Sequence, residues 1–600
     1  TLVIDTIANS TLLVVLFDDT LHPNIPTDTL YAWSPAYTYT FDANGIATDS
    51  LLQTPDTVLH KIMTNYYGTP YEIVNKWELG RYITPYGNVL SLDEGWTWIY
   101  DVSDFRPLLK DTVHLSAGNF QELLDLKFYM IKGIPPRDVV KIENVWQGDF
   151  SLNNFTAQVP PKIINLDPDA SMFKLRTTVT GHQFDNATNC AEFCPKVHSL
   201  NIDGIQRYSW QIIQECSRNP LYPQGGTWIY ARAGWCPGMP ATIQHLELTP
   251  YITGNQVTLD YNSQFDNYGN YVTESQLVSY SSPNFQLDAS VEEIISPSNY
   301  ELNKRFNPIC GRPEIVIKNN GFTVLTDLDI YYHFEGGENY NYHWHGYLTF
   351  LDKINVFLPE MDFNSPYAES GKFIVTVAYP NGQQDQYPDN NTRSSNFQLA
   401  PVYTQPLIIN FKTNSYPYEN YYRVYNTSGD VVYNKSGFSA NTVYMDTLDL
   451  PYGCYEFVLY DNDEDGISWW ANSDGNGYLK FKLLDGTDVH MFNSDFGSET
   501  RKWFTLAEPN YVFYEHSENS KYRLYPNPSN GLFYISSENS NREVNIKVYS
   551  SVGILLHNQI FNTMCDKKMI LNLAHLAAGI YFITLQNEEG VEIKRIIITD

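Results

Sequence analysis

Hydrophobic and polar residues alternate along most of the chain, in short stretches separated by turn residues. Tyr37-Thr-Tyr-Thr-Phe41 and Trp96-Thr-Trp-Ile-Tyr100 each place every second side chain on one face. Such alternation is typical of strands that bury one face in a sandwich of two sheets. Turn clusters such as Asp42-Ala-Asn-Gly45 separate these stretches. The pattern predicts an all-β protein with little helix, for which Trp210–Cys216 is the best candidate.

Breaks in this pattern divide the chain into predicted domains, because its 600 residues exceed what one hydrophobic core supports. Pro160-Pro161 and Asp167-Pro168 suggest one linker, and Ile295-Ser-Pro-Ser-Asn299 suggests the next. The third domain opens with an Ig-like strand and turn, and the fourth contains an acidic loop. The predicted domains are residues 1–164, 165–292, 293–412, 413–510 and 514–600.

The charge balance of the chain disfavours two classes of binding partner. The chain has 68 acidic and 38 basic residues, a net charge of −30, which disfavours nucleic acid and anionic lipid because both need a basic surface. No stretch approaches the roughly 18 apolar residues of a membrane-spanning helix. The chain begins at Thr1 without a leader, so we expect any export signal to have been removed.

Four of the seven cysteines lie close together in the sequence. Their clustering in a β-rich chain favours two local disulfides and an oxidising compartment. Buried thiols remain an alternative, whereas zinc is disfavoured because the pairs lack C-x-x-C spacing. The clustered residues are Cys190, Cys194, Cys216 and Cys236, and the isolated ones are Cys310, Cys454 and Cys565.

The last eighty or so residues contain an ordered set of short motifs. Leu524-Tyr-Pro-Asn-Pro precedes a strand, and Leu576-Ala-Ala-Gly-Ile-Tyr-Phe582 and Lys594-Arg-Ile-Ile-Ile598 follow in that order. Residues 522–600 resemble the type A C-terminal sorting domain of the Bacteroidota type IX secretion system. The resemblance implies passage through the outer-membrane translocon with its shuttle components, then release or attachment to surface lipopolysaccharide. It predicts a secreted or cell-surface protein.

The most specific constellation lies at residues 175–240. Leu175–His182 precedes Asn189-Cys-Ala-Glu-Phe-Cys-Pro-Lys-Val-His198, and Arg232-Ala-Gly-Trp-Cys-Pro-Gly238 follows. A bridge between Cys190 and Cys194 would hold Glu192 at the tip of a tiny loop. A carboxylate beside an Arg and a Trp is suited to hydrogen-bond sugar hydroxyls and stack on sugar rings. A purely structural clamp with an exposed glutamate remains the alternative.

These motifs resemble the peptide N-glycosidase F family, amidases that cut between asparagine and the first N-acetylglucosamine of N-linked glycans. Arg81-Tyr-Ile-Thr-Pro-Tyr-Gly87 and Asp101-Val-Ser-Asp-Phe105 extend the resemblance over residues 10–290. It implies tandem eight-stranded jelly rolls with no cofactor, followed here by Ig-like and other small β-sandwich domains. It pairs Cys190 with Cys194 and Cys216 with Cys236, and makes Glu192 a functional glutamate with a catalytic role. The predicted substrate-binding residues are Arg232, Trp235, His182, Phe193 and His198.

The chain departs from the family at two positions. The family's Cys-Asp-x-Trp-Asp motif, whose last Asp is catalytic, is absent, and Ala32-Trp-Ser-Pro35 would place Ser34 there. Gly118 stands where a second functional glutamate is expected, in the predicted strand Leu115–Phe120. Water attack on an amide needs a positioned base, and serine alone cannot supply one. The spatial substitutes are Asp42, Asp49, Glu122 and Asp125, each of which also fits a solvated turn or strand position.

Histidines in this chain do not suggest copper chemistry. Copper-dependent peptide-hydroxylating monooxygenases share a two-jelly-roll fold but need clustered His ligands. Residues 1–290 contain scattered histidines with no His-x-His pair, namely His22, His60, His114, His182, His198 and His245. His343-Trp-His345 is a His-x-His, with His333 on a possible neighbouring strand. We interpret it as part of a surface aromatic ladder in the Ig-like domain rather than as a metal site.

The acidic loop of the fourth domain is a candidate calcium site. Asp461-Asn-Asp-Glu-Asp-Gly466 alternates oxygen ligands before a glycine turn, as calcium loops begin. An EF-hand is excluded because its twelfth position is Asn472 rather than Glu. The predicted ligands are Asp461, Asp463, Asp465, Asp474 and Asn476. A solvated acidic turn is the alternative.

Three functions are compatible with the sequence. The favoured one is an exported protein that recognises glycans or glycoproteins on a degenerate amidase scaffold. The second is an active peptide-N-glycan amidase that releases N-linked glycans from asparagine. The third is a structural subunit of an outer-membrane surface complex. The missing catalytic aspartate is what favours the first.

Overall fold

The computed structural model describes residues 4–7, 11–16, 28–33, 37–52, 60–63, 75–87, 95–118, 123–186, 188–508, 522–537, 543–550, 554–562, 568–587 and 590–599. Strands dominate these residues, which confirms the all-β class. Helix is limited to one turn, Phe155–Gln158, and to 3-10 segments at Ser103–Phe105, Leu152–Asn154, Thr249–Tyr251, Glu301–Phe306, Ala368–Ser370, Pro380–Gly382, Pro388–Asn390 and Pro417–Glu419. None of the helices among the described residues is long and apolar enough to span a membrane.

The chain divides into two compact units, Thr1–Glu78 and Leu79–Asp600. The strands of the first are β1 (Ile4–Ile7), β2 (Thr11–Leu16), β3 (Asp28–Trp33), β4 (Tyr37–Phe41), β5 (Ala47–Leu52) and β6 (His60–Met63). They form antiparallel pairs β1–β6, β2–β3 and β4–β5. The predicted strand Tyr37–Phe41 is therefore confirmed. Trp96–Tyr100, in the second unit, is not a strand, and Tyr100 instead donates a side-chain hydrogen bond to the carbonyl of Arg81.

The second sandwich consists of two four-stranded sheets, the eight strands predicted for the second jelly roll. One sheet has the order β13-β12-β15-β8 and the other β14-β9-β16-β7. Apolar side chains from both sheets, including Trp146, Leu200 and Leu277, are buried between them. The strands and the short hairpin that follows β9 are β7 (Arg137–Ser151), β8 (Lys162–Asn165), β9 (Met172–His182), β10 (Phe184–Asn186), β11 (Asn189–Cys190), β12 (Val197–Ile202), β13 (Ile205–Gln211), β14 (Ile243–Glu247), β15 (Gln256–Ser263) and β16 (Asn270–Pro283).

Two expectations for this region differ from the structure. Arg137–Ser151 lies before the predicted boundary at residue 165, but it pairs along its length with Asn270–Pro283 and so belongs to this sandwich. The predicted helix Trp210–Cys216 is wrong. Trp210 ends a strand that pairs with Val197–Ile202, because its alternating aromatic side chains pack on the sandwich core.

The third sandwich begins at Ala289 and the fourth at Val402, slightly before the predicted boundaries. The third has sheets β17-β18-β21 and β20-β19-β22-β23, and the fourth has β24-β32-β29-β26-β27 and β28-β25-β30-β31. Their strands are β17 (Ala289–Ser296), β18 (Glu314–Asn319), β19 (Leu325–Phe334), β20 (Tyr340–Leu348), β21 (Lys353–Phe357), β22 (Lys372–Ala378), β23 (Thr392–Asn396), β24 (Val402–Tyr403), β25 (Leu407–Lys412), β26 (Asn420–Asn426), β27 (Val431–Lys435), β28 (Val443–Leu448), β29 (Gly453–Asp461), β30 (Tyr478–Lys482), β31 (Asp488–Met491) and β32 (Glu499–Leu506).

The C-terminal sandwich has sheets β33-β34-β37 and β36-β35-β38-β39. Asn527 of the Tyr-Pro-Asn-Pro motif donates to the carbonyl of Arg595 over 2.8 Å and accepts from the amide of Ile597 over 2.7 Å. The first and last motifs are thus joined by one side chain. The strands are β33 (Tyr522–Tyr525), β34 (Leu532–Ser537), β35 (Glu543–Ser550), β36 (Leu555–Asn562), β37 (Lys568–Asn572), β38 (Gly579–Asn587) and β39 (Gly590–Ile598).

The second, third and fourth sandwiches are tied together by buried polar and covalent links. Arg305 donates to the carbonyls of Ser217 and Asn219 in the second sandwich and of Phe496 and Glu499 in the fourth. Cys310 and Cys454, isolated in the sequence, form a disulfide that joins the third and fourth sandwiches. These links hold the fourth sandwich against the loops of the second.

Candidate functional site

A disulfide-closed hairpin presents Glu192. Cys190 and Cys194 are bonded, as are Cys216 and Cys236, so both predicted pairings are confirmed. Gln183, in the left-handed region at φ 73°, donates its amide to Glu192 Oε2 over 3.2 Å, and its carbonyl accepts from the amides of Ala191 and Glu192. Backbone bonds at both ends and the disulfide therefore fix the direction of the Glu192 side chain.

The hairpin packs against the Arg232 loop at close range. The amide of Ala233 donates to the carbonyl of Glu192 over 2.7 Å, and the amide of Gly181 donates to the carbonyl of Ala233. A Cβ at Gly181 would lie 2.2 Å from the carbonyl oxygen of Ala191, so only glycine permits this approach. The geometry of the loop pair thus depends on backbone contacts that a larger residue at Gly181 would block.

Arg232 pairs with Glu192 from a fully buried position. Its Nε lies 3.4 Å from Glu192 Oε1, with the arginine side chain 0% and the glutamate side chain 18% exposed. The guanidinium also donates to the carbonyls of Tyr230 over 2.6 Å and Thr227 over 2.8 Å. Burial lowers the pKa of Arg232, against the opposing effects of Tyr86 and Glu192. The buried cation orients the glutamate rather than facing solvent.

The ring of Trp235 lies beside the guanidinium of Arg232, and His182 stacks on Trp235. The indole Nε1 of Trp235 donates to the carbonyl of Gly181 over 2.8 Å, and the ring stacks on His182 at a centroid distance of 5.7 Å. The guanidinium of Arg232 lies 5.0 Å from the Trp235 ring centroid. Burial, and then the charge of Arg81, lower the pKa of His182. Trp235 is only 6% exposed and so presents little surface to a ligand, and its substrate contact stays a prediction.

His198 lies in the hydrophobic core, so its predicted place among the substrate-binding residues is corrected. Its side chain is fully buried, and Nδ1 lies 2.6 Å from the hydroxyl of Tyr261. Burial lowers the pKa of His198 to about 3, so the ring is neutral at ordinary pH. The alternation of β12 points the His198 side chain between the sheets.

A row of aromatic rings leads away from Glu192. Edge-to-face contacts join Phe184 to Phe193 at 5.2 Å, Phe193 to Tyr230 at 6.1 Å and Tyr230 to Trp469 at 5.6 Å. Trp470, next to Trp469, donates its indole N–H to the carbonyl of Gly226 over 2.8 Å. We call Phe184, Phe193, Tyr230, Trp469 and Trp470 the aromatic row. Phe184 is 55%, Tyr230 46% and Trp470 66% exposed.

Sequence reasoning identified Phe193 but missed the other members of the aromatic row. Tyr230 lies two residues before Arg232, and a wider motif window would have included it. Trp469-Trp470 is visible as a tryptophan pair inside the acidic loop. Its place beside the second sandwich depends on how the sandwiches dock, which no sequence spacing indicates.

A polar cleft adjoins the Glu192 hairpin. Its volume is about 450 Å³, and its lining includes Gln183, the residue whose backbone holds Glu192. Other lining side chains offer amide, carboxylate and phenol groups, namely Asp149, Asn153, Asn267, Tyr268 and Asn270. Hydroxyl-rich ligands are bound by such mixed donors and acceptors.

The predicted first-domain substitutes for the missing base have local partners. Asp42 accepts from the amides of Asn44 and Ile46 as a turn residue, and Asp49 accepts from the amide of Ser50. Asp125 forms an exposed ion pair with Lys127 at 2.7 Å. Ser34 and Glu122 lie outside the described residues. Gly118 has φ 94° and lies outside any strand, so the predicted strand at Leu115–Phe120 is not seen at its described residues.

The acidic loop brings together only part of its predicted ligand set. Asp461 accepts from Asn420 and from the amide of Glu464, and Asn476 accepts from Ser468, so their oxygens are already engaged. Carboxylate oxygens of Asp465 and Asp474 instead lie within 4.8 Å of each other and of one from Glu419. Asp463 is exposed beside them. Glu419 was missed because it precedes β26, far from the loop in sequence.

Crowding and burial disfavour ionisation of the carboxylates in this cluster. Burial, together with the charges of Asp465, Asp463 and Asp474, raises the pKa of Glu419 to about 7. Burial likewise raises the pKa of Asp465 to about 6 and that of Asp461 to about 8. The ion pairs of the fourth sandwich involve other carboxylates, those of Asp446, Glu456, Asp488 and Glu499.

His343 and His345 face two aspartates rather than His333. The register of β19 and β20 places Asp329 opposite His343 and Asp327 opposite His345. The Nδ1 atom of each histidine lies 2.5 Å from its aspartate. Both histidines are exposed, so this face is a cross-strand ladder of His–Asp contacts.

The fold and these motifs define a class: an all-β, disulfide-containing exported chain with an amidase-like module. Residues 152–284 match the C-terminal domain of peptide-N-glycosidase F, and residues 523–599 match the secretion system C-terminal sorting domain. Both resemblances seen in the sequence are thereby confirmed. The sorting domain indicates interaction with the type IX secretion machinery and export across the outer membrane.

Individual proteins are similar to part of the chain. Peptide-N(4)-(N-acetyl-beta-D-glucosaminyl)asparagine amidase F of Elizabethkingia miricola is 29% identical over 210 residues, which cover 31% of this chain and 58% of the relative. The solved structure of PNGase F, a glycosylasparaginase from Flavobacterium meningosepticum, is 25% identical over 25% of this chain and 55% of its own, with a TM-score of 0.22. A crystal structure of the same kind of amidase is 24% identical over 34% of this chain and 74% of its own, with a TM-score of 0.26.

This chain therefore spans a little over half the length of the curated relative it matches.

Proposed function

We propose that the second sandwich recognises N-linked glycans or glycoproteins at Glu192, on an amidase scaffold that has lost its catalytic aspartate. The observation that carries this proposal is the pair of Glu192 and buried Arg232 at the start of the aromatic row. One fixed carboxylate and neighbouring exposed rings are the groups by which proteins hold sugars, through hydroxyl hydrogen bonds and ring stacking.

Orientation of the carboxylate supports binding. Glu192 is held by Arg232 Nε and by the amide of Gln183, so little side-chain entropy remains to be lost when a ligand binds. Phe184 and Tyr230 have exposed rings beside it, and the polar cleft begins at Gln183. A pre-oriented acceptor between a stacking surface and a polar cleft suits a sugar with one apolar face.

Loss of hydrolysis is supported by the departure from the family's first-domain motif. The relative of 29% identity is named as an amidase that acts on N-acetylglucosaminyl asparagine. In this chain the sequence offers a serine for the aspartate expected in that motif, and the candidate substitutes Asp42, Asp49 and Asp125 bind local partners. General base catalysis contributes about 10²–10⁴ in rate, so its loss removes most turnover while binding persists.

For the sorting domain we propose the outer-membrane shuttle components as partners, followed by attachment to surface lipopolysaccharide. Both follow from the same match at residues 523–599. Together with a glycan site, this location would place the protein where host or environmental glycoproteins are encountered.

Calorimetric titration with an N-glycopeptide tests the binding site. We expect the wild-type chain to bind and Glu192→Gln to weaken binding at least about tenfold, because one charged hydrogen-bond acceptor is lost. Gln is preferred to Ala, since truncation would leave the buried Arg232 without its partner.

Glu247→Gln is the matched control. Glu247 also pairs with a buried arginine of the same sandwich, Arg137, at 3.1 Å. Its loss should leave glycopeptide binding unchanged. Equal weakening by both substitutions would mean that the effect is structural, and no binding by the wild type would favour a structural subunit.

Incubation with a denatured N-glycoprotein separates binding from hydrolysis. We expect no Asn-to-Asp mass change at high protein load. Conversion that Glu192→Gln abolishes would instead establish an active amidase, and a base outside the family's motif would then have to be found.

A further inference from the structure

The buried acidic cluster of the fourth sandwich has unsatisfied oxygens. Glu419 is 1% and Asp465 8% exposed, yet Glu419 Oε2 and Asp465 Oδ1 have no hydrogen-bond partner. Their other oxygens accept from Asn414 and Asn472, which fixes both side chains. A buried carboxylate oxygen without a partner is costly, and these two occur in the same cluster.

The ligand chemistry of this cluster is that of a hard cation. Ligand atoms of Glu419, Asp465 and Asp474 lie within 4.8 Å of one another, and all are carboxylate oxygens. Calcium takes six to eight oxygens in irregular arrangements, whereas magnesium requires nearly ideal octahedral geometry. Partly exposed Asp474 and the neighbouring Asp463 leave room on the solvent side for water ligands.

Two members of the acidic cluster lie at the two ends of the segment that contacts the second sandwich. Asp465 and Asp474 flank residues 466–473, which contain Trp469 and Trp470. Trp470 donates to the carbonyl of Gly226, and the Trp469 ring lies against Tyr230. An ion bound by Asp465 and Asp474 would therefore tie together the two ends of the segment that completes the aromatic row.

We propose that Glu419, Asp465 and Asp474 bind one calcium ion, which holds the Trp469–Trp470 segment in place against the second sandwich. The site stands independently of glycan binding at Glu192. An exported protein meets calcium at the concentrations that extracellular modules of moderate affinity use, about 10⁻⁴–10⁻³ M.

Thermal unfolding and calorimetry of the full chain, first treated with a chelator, test this site. We expect one calcium per chain and a rise in midpoint temperature of about 3 °C at ten times the dissociation constant. Magnesium at the same concentration should give a clearly smaller rise.

Glu419→Gln and Asp465→Asn should each abolish the calcium response. Without calcium they should melt at or above the wild-type temperature, because each removes a buried charge that its neighbours repel. A variant that loses the calcium response but melts no lower than the wild type without calcium has lost a ligand. A damaged fold would instead lower the melting temperature with and without calcium. Asp449→Asn, an exposed acidic residue of the same sandwich, is the control and should respond like the wild type.

Terbium luminescence tests the link to the tryptophan segment, since Tb³⁺ replaces calcium and emits when a nearby indole is excited. Emission should be strong in the wild type, weaker in Trp469→Phe and absent in Asp465→Asn. A wild-type chain that shows no heat and no temperature shift with calcium would overturn the proposal. So would a calcium response that persists unchanged in both carboxylate variants.

Discussion

Buried charged side chains in this protein are stabilised in different ways. Arg232 has an anionic partner, Glu192, whereas Arg305 is surrounded by carbonyl oxygens. Asp288 is 1% exposed, and its carboxylate oxygens accept from the side-chain amide of Asn390 at 3.0 and 3.1 Å. An anionic partner stabilises a buried charge most, carbonyl dipoles stabilise it less, and a single amide stabilises it least. The less a buried charge is stabilised, the further its pKa shifts towards favouring the neutral form.

Asp288 should make the third sandwich less stable at alkaline than at acid pH. Burial, reinforced by the charge of Asp385, raises the pKa of Asp288 to about 7. Between pH 4 and 7 the folded state then binds a proton that the unfolded state has released, so stability falls as pH rises through this range. Asp288→Asn should raise stability at pH 8 by on the order of 2 kcal/mol and have no effect near pH 4.

Thermal midpoints of the two proteins across this pH range check the prediction. Asp389→Asn, a nearby exposed position, should change neither the midpoint nor its pH slope. If wild type and Asp288→Asn keep parallel pH profiles, Asp288 is ionised at neutral pH and the prediction is wrong.

At the level of elements, the short 3-10 segment Glu301–Phe306 joins two sandwiches through one side chain. Arg305 donates to carbonyls on both sides, at 2.6 to 3.2 Å, and its guanidinium lies 4.1 Å from the ring centroid of Tyr222. Burial lowers the pKa of Arg305 to about 10, so it remains charged at neutral pH. Its planar guanidinium can reach carbonyls in several directions, which a lysine ammonium cannot.

Arg305→Met should destabilise the junction of the second and fourth sandwiches by about 3 kcal/mol or more, because several buried carbonyls lose their donors together. Arg305→Lys should recover only part of this loss. Lys304→Met removes an exposed neighbouring charge and should have little effect. Thermal unfolding with limited proteolysis measures all three, and a wild-type melt for Arg305→Met would contradict the assigned role.

At the scale of the whole molecule, the third and fourth sandwiches are covalently joined. Cys310 lies just before β18, and Cys454 lies in β29, with 144 residues of sequence separation. Closing so long a loop restricts the unfolded chain strongly, by about 4 to 5 kcal/mol in the chain-entropy description. The disulfide therefore stabilises the pair of sandwiches on which the Trp469–Trp470 contact depends.

Cys310→Ser and Cys454→Ser should each lower the thermal midpoint of the oxidised protein, and the double variant should melt like either single one. The reason is that each substitution breaks the same bond. Reduction of the wild type also breaks the Cys190–Cys194 and Cys216–Cys236 bonds, so it should lower the midpoint by at least as much. Additive effects of the two substitutions would mean that the cysteines contribute through separate packing contacts.

Residues close in sequence were predicted better than residues brought together by folding. The Glu192 hairpin, both local disulfides and the sorting motifs could be recognised because each depends on a short stretch of chain or on a known motif. His198 and Trp235 occur in the same motifs but are buried, His198 because its strand face meets the opposite sheet and Trp235 because its loop packs against the hairpin of Glu192. The Cys310–Cys454 pair could not be inferred, since spacing gives no information about partners 144 residues apart.

By itself the sequence determined the all-β class, the export module and the location of the Glu192 hairpin. These follow from alternation, turn residues and compact motifs, which act through local backbone preferences. Only the tertiary structure decided that Glu419 joins the acidic loop and that Trp469 and Trp470 extend the surface beside Tyr230. The physical reason is that Glu419 meets the acidic loop through packing within the fourth sandwich, whereas Trp469 meets Tyr230 where two sandwiches dock. Both contacts join residues far apart in sequence, so no pattern along the chain indicates them.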